Sequence, residues 1–137
     1  FQLADRLNSP AVFLATQVDP WPVSGNRPLV GRVCAPCLDP RAGIERLYLP
    51  LERATLQFGR PVVLAVGDTH VFRVDKPLYS AETGQLVENF TRVEPFGSPS
   101  IHWVRVVVDP SRPEVFSFRE ELVEANMSPG AEDEASR

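Results

Sequence analysis

The residues best equipped for chemistry lie in one short string, Gly67-Asp-Thr-His70. It follows directly on an apolar run, residues 62–66, that reads as a buried strand. Glycine permits a sharp turn of the backbone, and Asp68 and His70 stand two apart just past the strand end. A carboxylate and an imidazole at that spacing offer oxygen and nitrogen ligands to a divalent ion such as Mn, Fe or Zn. Alternatively, the carboxylate orients the imidazole. The same four residues are also consistent with a tight turn bearing a surface Asp and a His bonded to backbone. By itself the string does not choose.

Other residues add to the inventory. Arg73 and Lys76, just downstream, are placed either to contact a substrate phosphate or simply to solvate a strand face. His102, the second of the chain's 2 histidines, falls in an alternating strand pattern and reads as structural. Cys34 and Cys37 form a Cys-Ala-Pro-Cys spacing that suits a redox dithiol or half of a zinc site. Their surroundings read as loop rather than strand-to-helix, and no second cysteine pair completes a zinc set, so a local disulfide or two free thiols fits better. Neither a Gly-x-Ser-x-Gly elbow nor a Walker loop occurs.

The elements that must position these groups are legible in outline. Residues 1–8 have helical spacing, and residues 10–17 form an apolar run that reads as a buried strand. Residues 19–43, rich in Pro and Gly, form a long excursion. Helical spacing resumes over 44–58, with Leu47, Leu51, Ala54 and Phe58 on one stripe, Pro50 marking a helix start and Gly59 a stop. Residues 61–66 give a second buried strand, and alternation resumes at once over 70–74. Residues 89–94, 101–109 and 114–118 are three further strands, with the continuous valines at 106–108 marking a central one. The expected class is therefore α/β (α+β): an α/β first half and an antiparallel meander after it. In such sheets functional residues gather beyond the carboxyl ends of the strands, where residues 17–19 and 67–70 both fall.

Composition bounds the rest. A chain of 137 residues fits one domain, here residues 1–123 followed by a polar tail at 124–137 expected to be disordered. A net charge of −4 supplies no basic field for nucleic acid or an anionic membrane surface. No apolar run is long enough to cross a bilayer. The chain opens at Phe1 in mid-helix pattern without a signal peptide, which suggests a start inside a larger protein. The compartment stays open between cytoplasm and periplasm.

The stretch from Phe58 through Gly67-Asp-Thr-His70 to Leu78 resembles the final motif region of bacterial calcineurin-like phosphoesterases. Asn89-Phe-Thr-Arg-Val-Glu-Pro-Phe-Gly-Ser-Pro99 and His102-Trp-Val-Arg-Val-Val-Val-Asp-Pro110 look like the downstream strands of one branch of that family. The resemblance covers residues 10–123 and implies a partial calcineurin-like α/β sandwich around a dinuclear metal site. The family's last motif is Gly-His-x-His. Here Asp68 stands at the first histidine and His70 at the second, and Gln17 falls where an earlier strand normally ends in a metal-binding His. His70, Asp68 and Gln17 are thus the implied metal ligands, with a small phosphate ester as substrate.

The family's Asp-x-His, Gly-Asp-x-x-Asp and Gly-Asn-His motifs are missing from this chain. The resemblance therefore implies a C-terminal segment of a metal-dependent phosphoesterase, inactive alone. Its expected partner is the missing N-terminal half or, through an open sheet edge, a second copy. A non-catalytic binding module on the same scaffold, suggested by the substitutions at Gln17 and Asp68, is the alternative; a thiol protein centred on Cys34 and Cys37 ranks third.

Overall fold

The computed structural model describes residues 1–21, 23–24, 27–28, 44–67, 70–99 and 101–127. The architecture is mixed α/β: a four-stranded mixed sheet, a separate two-stranded antiparallel sheet and a short two-stranded ribbon, with no barrel among the described residues. The ribbon pairs β2 (Val23–Ser24) with β3 (Arg27–Pro28).

The mixed sheet is built from β1 (Val12–Ala15), β4 (Val62–Ala65), β5 (Arg73–Asp75) and β6 (Phe90–Glu94), in the order β1-β4-β6-β5. β1, β4 and β6 are parallel, and β5 runs against β6. β4 and β6, in the middle, are the most buried strands; β4 is wholly apolar, whereas β6 buries Arg92 and Glu94 alongside Phe90 and Val93. β1 is an edge strand instead of the fully buried strand expected: it alternates, and Phe13 is exposed because nothing among the described residues pairs with its outer side.

One face of this sheet carries the core. Val12, Leu14, Val62, Leu64, Val66 and Phe90 pack against α2 (Ile44–Phe58). The helical stripe is Tyr48, Leu51, Thr55 and Phe58, not the expected Leu47-centred one, since Leu47 is exposed. Pro50 lies inside the helix rather than at its start. Proline removes one backbone donor and crowds the preceding turn, and the burial of this stripe outweighs that cost. Helix α1 (Gln2–Arg6) is tied down by Phe1 packing edge-on against Phe58 and by Arg60 bonding Asp5 and the Ser9 carbonyl.

The second half is less of a meander than its pattern suggested. β6 enters the parallel core, and only β7 (Trp103–Val108) and β8 (Phe116–Glu121) form an antiparallel hairpin. β7 is not central; Val107 and Val108 are exposed. The hairpin meets the other face of the mixed sheet through an edge contact of Phe116 with Phe13. Downstream, a 3-10 turn spans Glu124–Asn126, and the Asn126 amide donates to the Ile101 carbonyl.

Candidate functional site

The parallel register brings three strand ends to one edge of the sheet. Ala15 lies opposite Ala65, Ala65 opposite Val93, and Arg73, where β5 starts back, opposite Glu94. The loops that follow β1 and β4 touch there. The Gly67 amide donates to the Gln17 carbonyl at 2.9 Å, and a Cβ on Gly67 would sit only 3.2 Å from that oxygen. Glycine at 67 thus permits the close approach. Gln17 is exposed beside it.

His70 emerges three residues later with φ 63, in the left-handed region that histidine tolerates better than most side chains. Its ring is exposed, and Nδ1 lies 3.1 Å from the Ser98 carbonyl oxygen in the loop after β6. β5 begins only at Arg73, later than the alternation predicted, because residues 70–72 are spent on this turn.

Behind the two loops lies a buried ion cluster. Arg92 is fully buried, with Nη1 2.9 Å from Asp19 Oδ2 and Nε 2.9 Å from Asp75 Oδ1. Arg73 reaches Asp19 Oδ2 at 2.9 Å and Glu94 Oε2 at 2.8 Å. The Trp21 amide donates to Asp19 Oδ1 at 3.1 Å, and its indole lies over the Arg92 guanidinium. Burial pushes the Asp19 carboxyl up, against the opposing pull of the Trp21 amide and of the Arg92 and Arg73 charges. For Arg92, burial alone would lower the guanidinium, and the bonds and charges of Asp75 and Asp19 more than reverse it, so it stays charged.

The structure therefore brings His70 and Gln17 to one edge. Arg73 reaches the same edge, but its guanidinium is engaged with Asp19 and Glu94 rather than turned to a substrate. Lys76 is not brought there: it lies past the far end of β5, where it bonds the Glu88 carbonyl. Asp68, Cys34 and Cys37 fall outside the described residues. Among the described residues no group of three or more His, Cys, Asp or Glu side chains is arranged to hold a metal ion. The exposed imidazole suits a first-row divalent ion, while the neutral Gln17 amide is a poor ligand for zinc. A dinuclear site would need further ligands beyond this pair.

Sequence reasoning missed the ion cluster. Its one local signal was β6 itself, where Phe90, Arg92 and Glu94 alternate onto the core face. Two opposite charges sharing a face with a buried phenylalanine point to internal pairing. A cavity of about 540 Å³ opens elsewhere, lined by Val63, Thr91, Phe116, Phe118, Lys76 and Glu88 among others, and takes in neither Gln17 nor His70.

The chain matches no family model, no curated protein and no solved structure. Among the described residues, no helix is long and apolar enough to cross a membrane.

Proposed function

We propose that this chain is the C-terminal, metal-loop-bearing portion of a calcineurin-like, metal-dependent phosphoesterase, and that it does not hydrolyse phosphate esters by itself. One observation carries the reading: the turn after β4 presents an exposed His70 imidazole at the carboxyl edge of a parallel sheet, three residues past the Gly67 amide that bonds the Gln17 carbonyl. Helix α2 on one sheet face and the β7–β8 hairpin on the other support a partial α/β sandwich of that type.

In this reading His70 supplies a nitrogen ligand, Gln17 and Asp68 are the further ligands offered by this chain, and the remaining ones come from a segment outside this sequence. Two divalent ions, when bound, would polarise the phosphate and lower the pKa of a water. The Asp19–Arg73–Glu94 pairs hold the ends of β1, β5 and β6 together and keep both loops at the edge.

The test is to express the reading frame extended upstream of Phe1 until it includes Asp-x-His and Gly-Asn-His motifs. Release of p-nitrophenol from its phosphate ester is then assayed with Mn²⁺. The extended protein should turn over, the present chain should not, and His70→Ala should lower kcat/KM by about 100-fold or more. An extended protein that carries those motifs and stays inert with Mn²⁺ would refute the activity. The second reading, a non-catalytic binding module, is favoured by Gln17, an amide where a neutral imidazole would ligate better. It predicts no stoichiometric uptake of Mn, Zn or Fe by calorimetry of the extended protein.

A further inference from the structure

Resting on the reading of His70 as a metal ligand, we infer that Gly97 and the Ser98 carbonyl form a cradle that presets the His70 imidazole to offer Nε2. In the same arrangement Phe72, Phe96 and His102 hold that cradle in place.

A carbonyl oxygen can only accept, so the Nδ1 that lies 3.1 Å from Ser98 O carries the ring proton. In the neutral ring the lone pair then sits on Nε2. A backbone carbonyl on the far nitrogen is the usual device for orienting a metal-binding histidine.

Gly97 makes this contact possible. A Cβ there would lie 2.3 Å from His70 Cγ, 2.4 Å from Cδ2 and 2.7 Å from Cβ. The last distance decides the matter, because the His70 Cβ is fixed to its backbone and rotation of the ring cannot relieve it. Any residue larger than glycine must displace one loop from the other.

The loop carrying Gly97 is itself anchored. Phe96 stacks on Phe72 at 5.0 Å between centroids with 14° between planes. His102 also meets Phe96 edge-on, at 4.9 Å. The His102 Nδ1 accepts the Val123 amide at 3.1 Å, so that ring carries its proton on Nε2. The two histidines of the chain are thus held as opposite tautomers, and both belong to one chain of contacts. Gly97 and His102 are positioning residues in this scheme, since neither is asked to touch metal or substrate.

Long-range proton–nitrogen correlation spectra of the metal-free chain near neutral pH test this directly. His70 should give the Nδ1–H pattern and His102 the Nε2–H pattern. A His70 spectrum showing Nε2–H, or averaging between tautomers, would overturn the inference. In Gly97→Ala the His70 pattern should collapse to averaging while His102 keeps Nε2–H, which reports that the fold is intact. Retention of the Nδ1–H pattern in that variant would also overturn it, and should the variant not fold, the wild-type spectrum decides alone. Added Zn²⁺ should move His70 Nε2 rather than Nδ1, and Gly97→Ala should need about ten times more metal or more for the same response. If His70 shows the Nδ1–H pattern and Zn²⁺ moves neither nitrogen even in the protein extended upstream to its Asp-x-His and Gly-Asn-His motifs, the cradle stands and the phosphoesterase reading fails.

Discussion

The guanidinium of Arg92 lies against the carboxylate of Asp19, Nη1 to Oδ2 2.9 Å, across a sequence separation of 73 residues. Both side chains are buried, so neither charge has water to fall back on. Breaking a buried pair leaves its partner uncompensated, which typically costs about 3–5 kcal/mol. Arg92→Met should therefore lower the unfolding free energy by about 3–5 kcal/mol in urea titrations. Arg92→Lys, which keeps the charge but not the fork that also reaches Asp75, should recover only part of the loss.

The pH dependence of stability should carry two contributions of opposite sign. Burial raises the Asp19 carboxyl above its ordinary 3.8. Between 3.8 and that higher folded value, the folded state holds a proton that the unfolded state has released. The Asp19 contribution is therefore lost as pH rises through this window. Asp109 behaves oppositely: hydrogen bonds from the Ser111 hydroxyl and amide hold its carboxyl below 3.8. Its contribution is present above 3.8 and lost as pH falls through the lower folded value. Carboxyl-carbon titrations by NMR should place the two midpoints on opposite sides of 3.8, and Ser111→Ala should move only that of Asp109 upward.

Pro50 offers a stabilising substitution. It is exposed and interior to α2, so replacing it removes no buried contact and restores a helical donor. Relative to alanine, an interior proline costs on the order of 3 kcal/mol. Part of that gain is returned because the unfolded chain becomes more flexible. Pro50→Ala should raise stability by about 1–3 kcal/mol, read as a higher urea midpoint with an unchanged slope.

The outer side of β1 should associate. Val12 and Thr16 donate to the Pro61 and Ala65 carbonyls on the β4 side. The alternate residues, Phe13 and Ala15, therefore direct their backbone groups to the outer side, where no strand among the described residues pairs with them. Both are exposed, and an unblunted edge of this kind templates pairing with another strand. Sedimentation velocity should show concentration-dependent dimers of this chain, lost in Phe13→Lys. A monomer across the accessible concentration range would count against the edge as a docking surface.

Elements with a dense local signal were legible from the residues. The apolar run at β4 and the extent of helix α2, though not its Leu47 and Ala54 stripe positions, are examples, because burial on both faces or on one stripe leaves a periodic trace. The left-handed turn at His70 and the late start of β5 were not, since one residue of special backbone geometry has no periodicity. The valines of β7 misled for a related reason. Three apolar residues in a row suit a doubly buried strand, yet this hairpin leaves two of them exposed. Arg73 and Lys76 looked equivalent in the sequence. A three-residue strand between them sends one into the ion cluster and the other to the opposite end of the sheet. The Asp19–Arg92 pair, with nothing local to announce it, had only the alternation of β6 as a clue.

The bond from the Gly67 amide to the Gln17 carbonyl makes the imidazole loop mechanically continuous with the edge strand. A neighbour that straightened, twisted or shifted β1 would draw on that bond, and on the Asp19–Arg73 pair beside it, and pull on the turn after β4. A strand docked along the outer side of β1 should therefore be felt at His70.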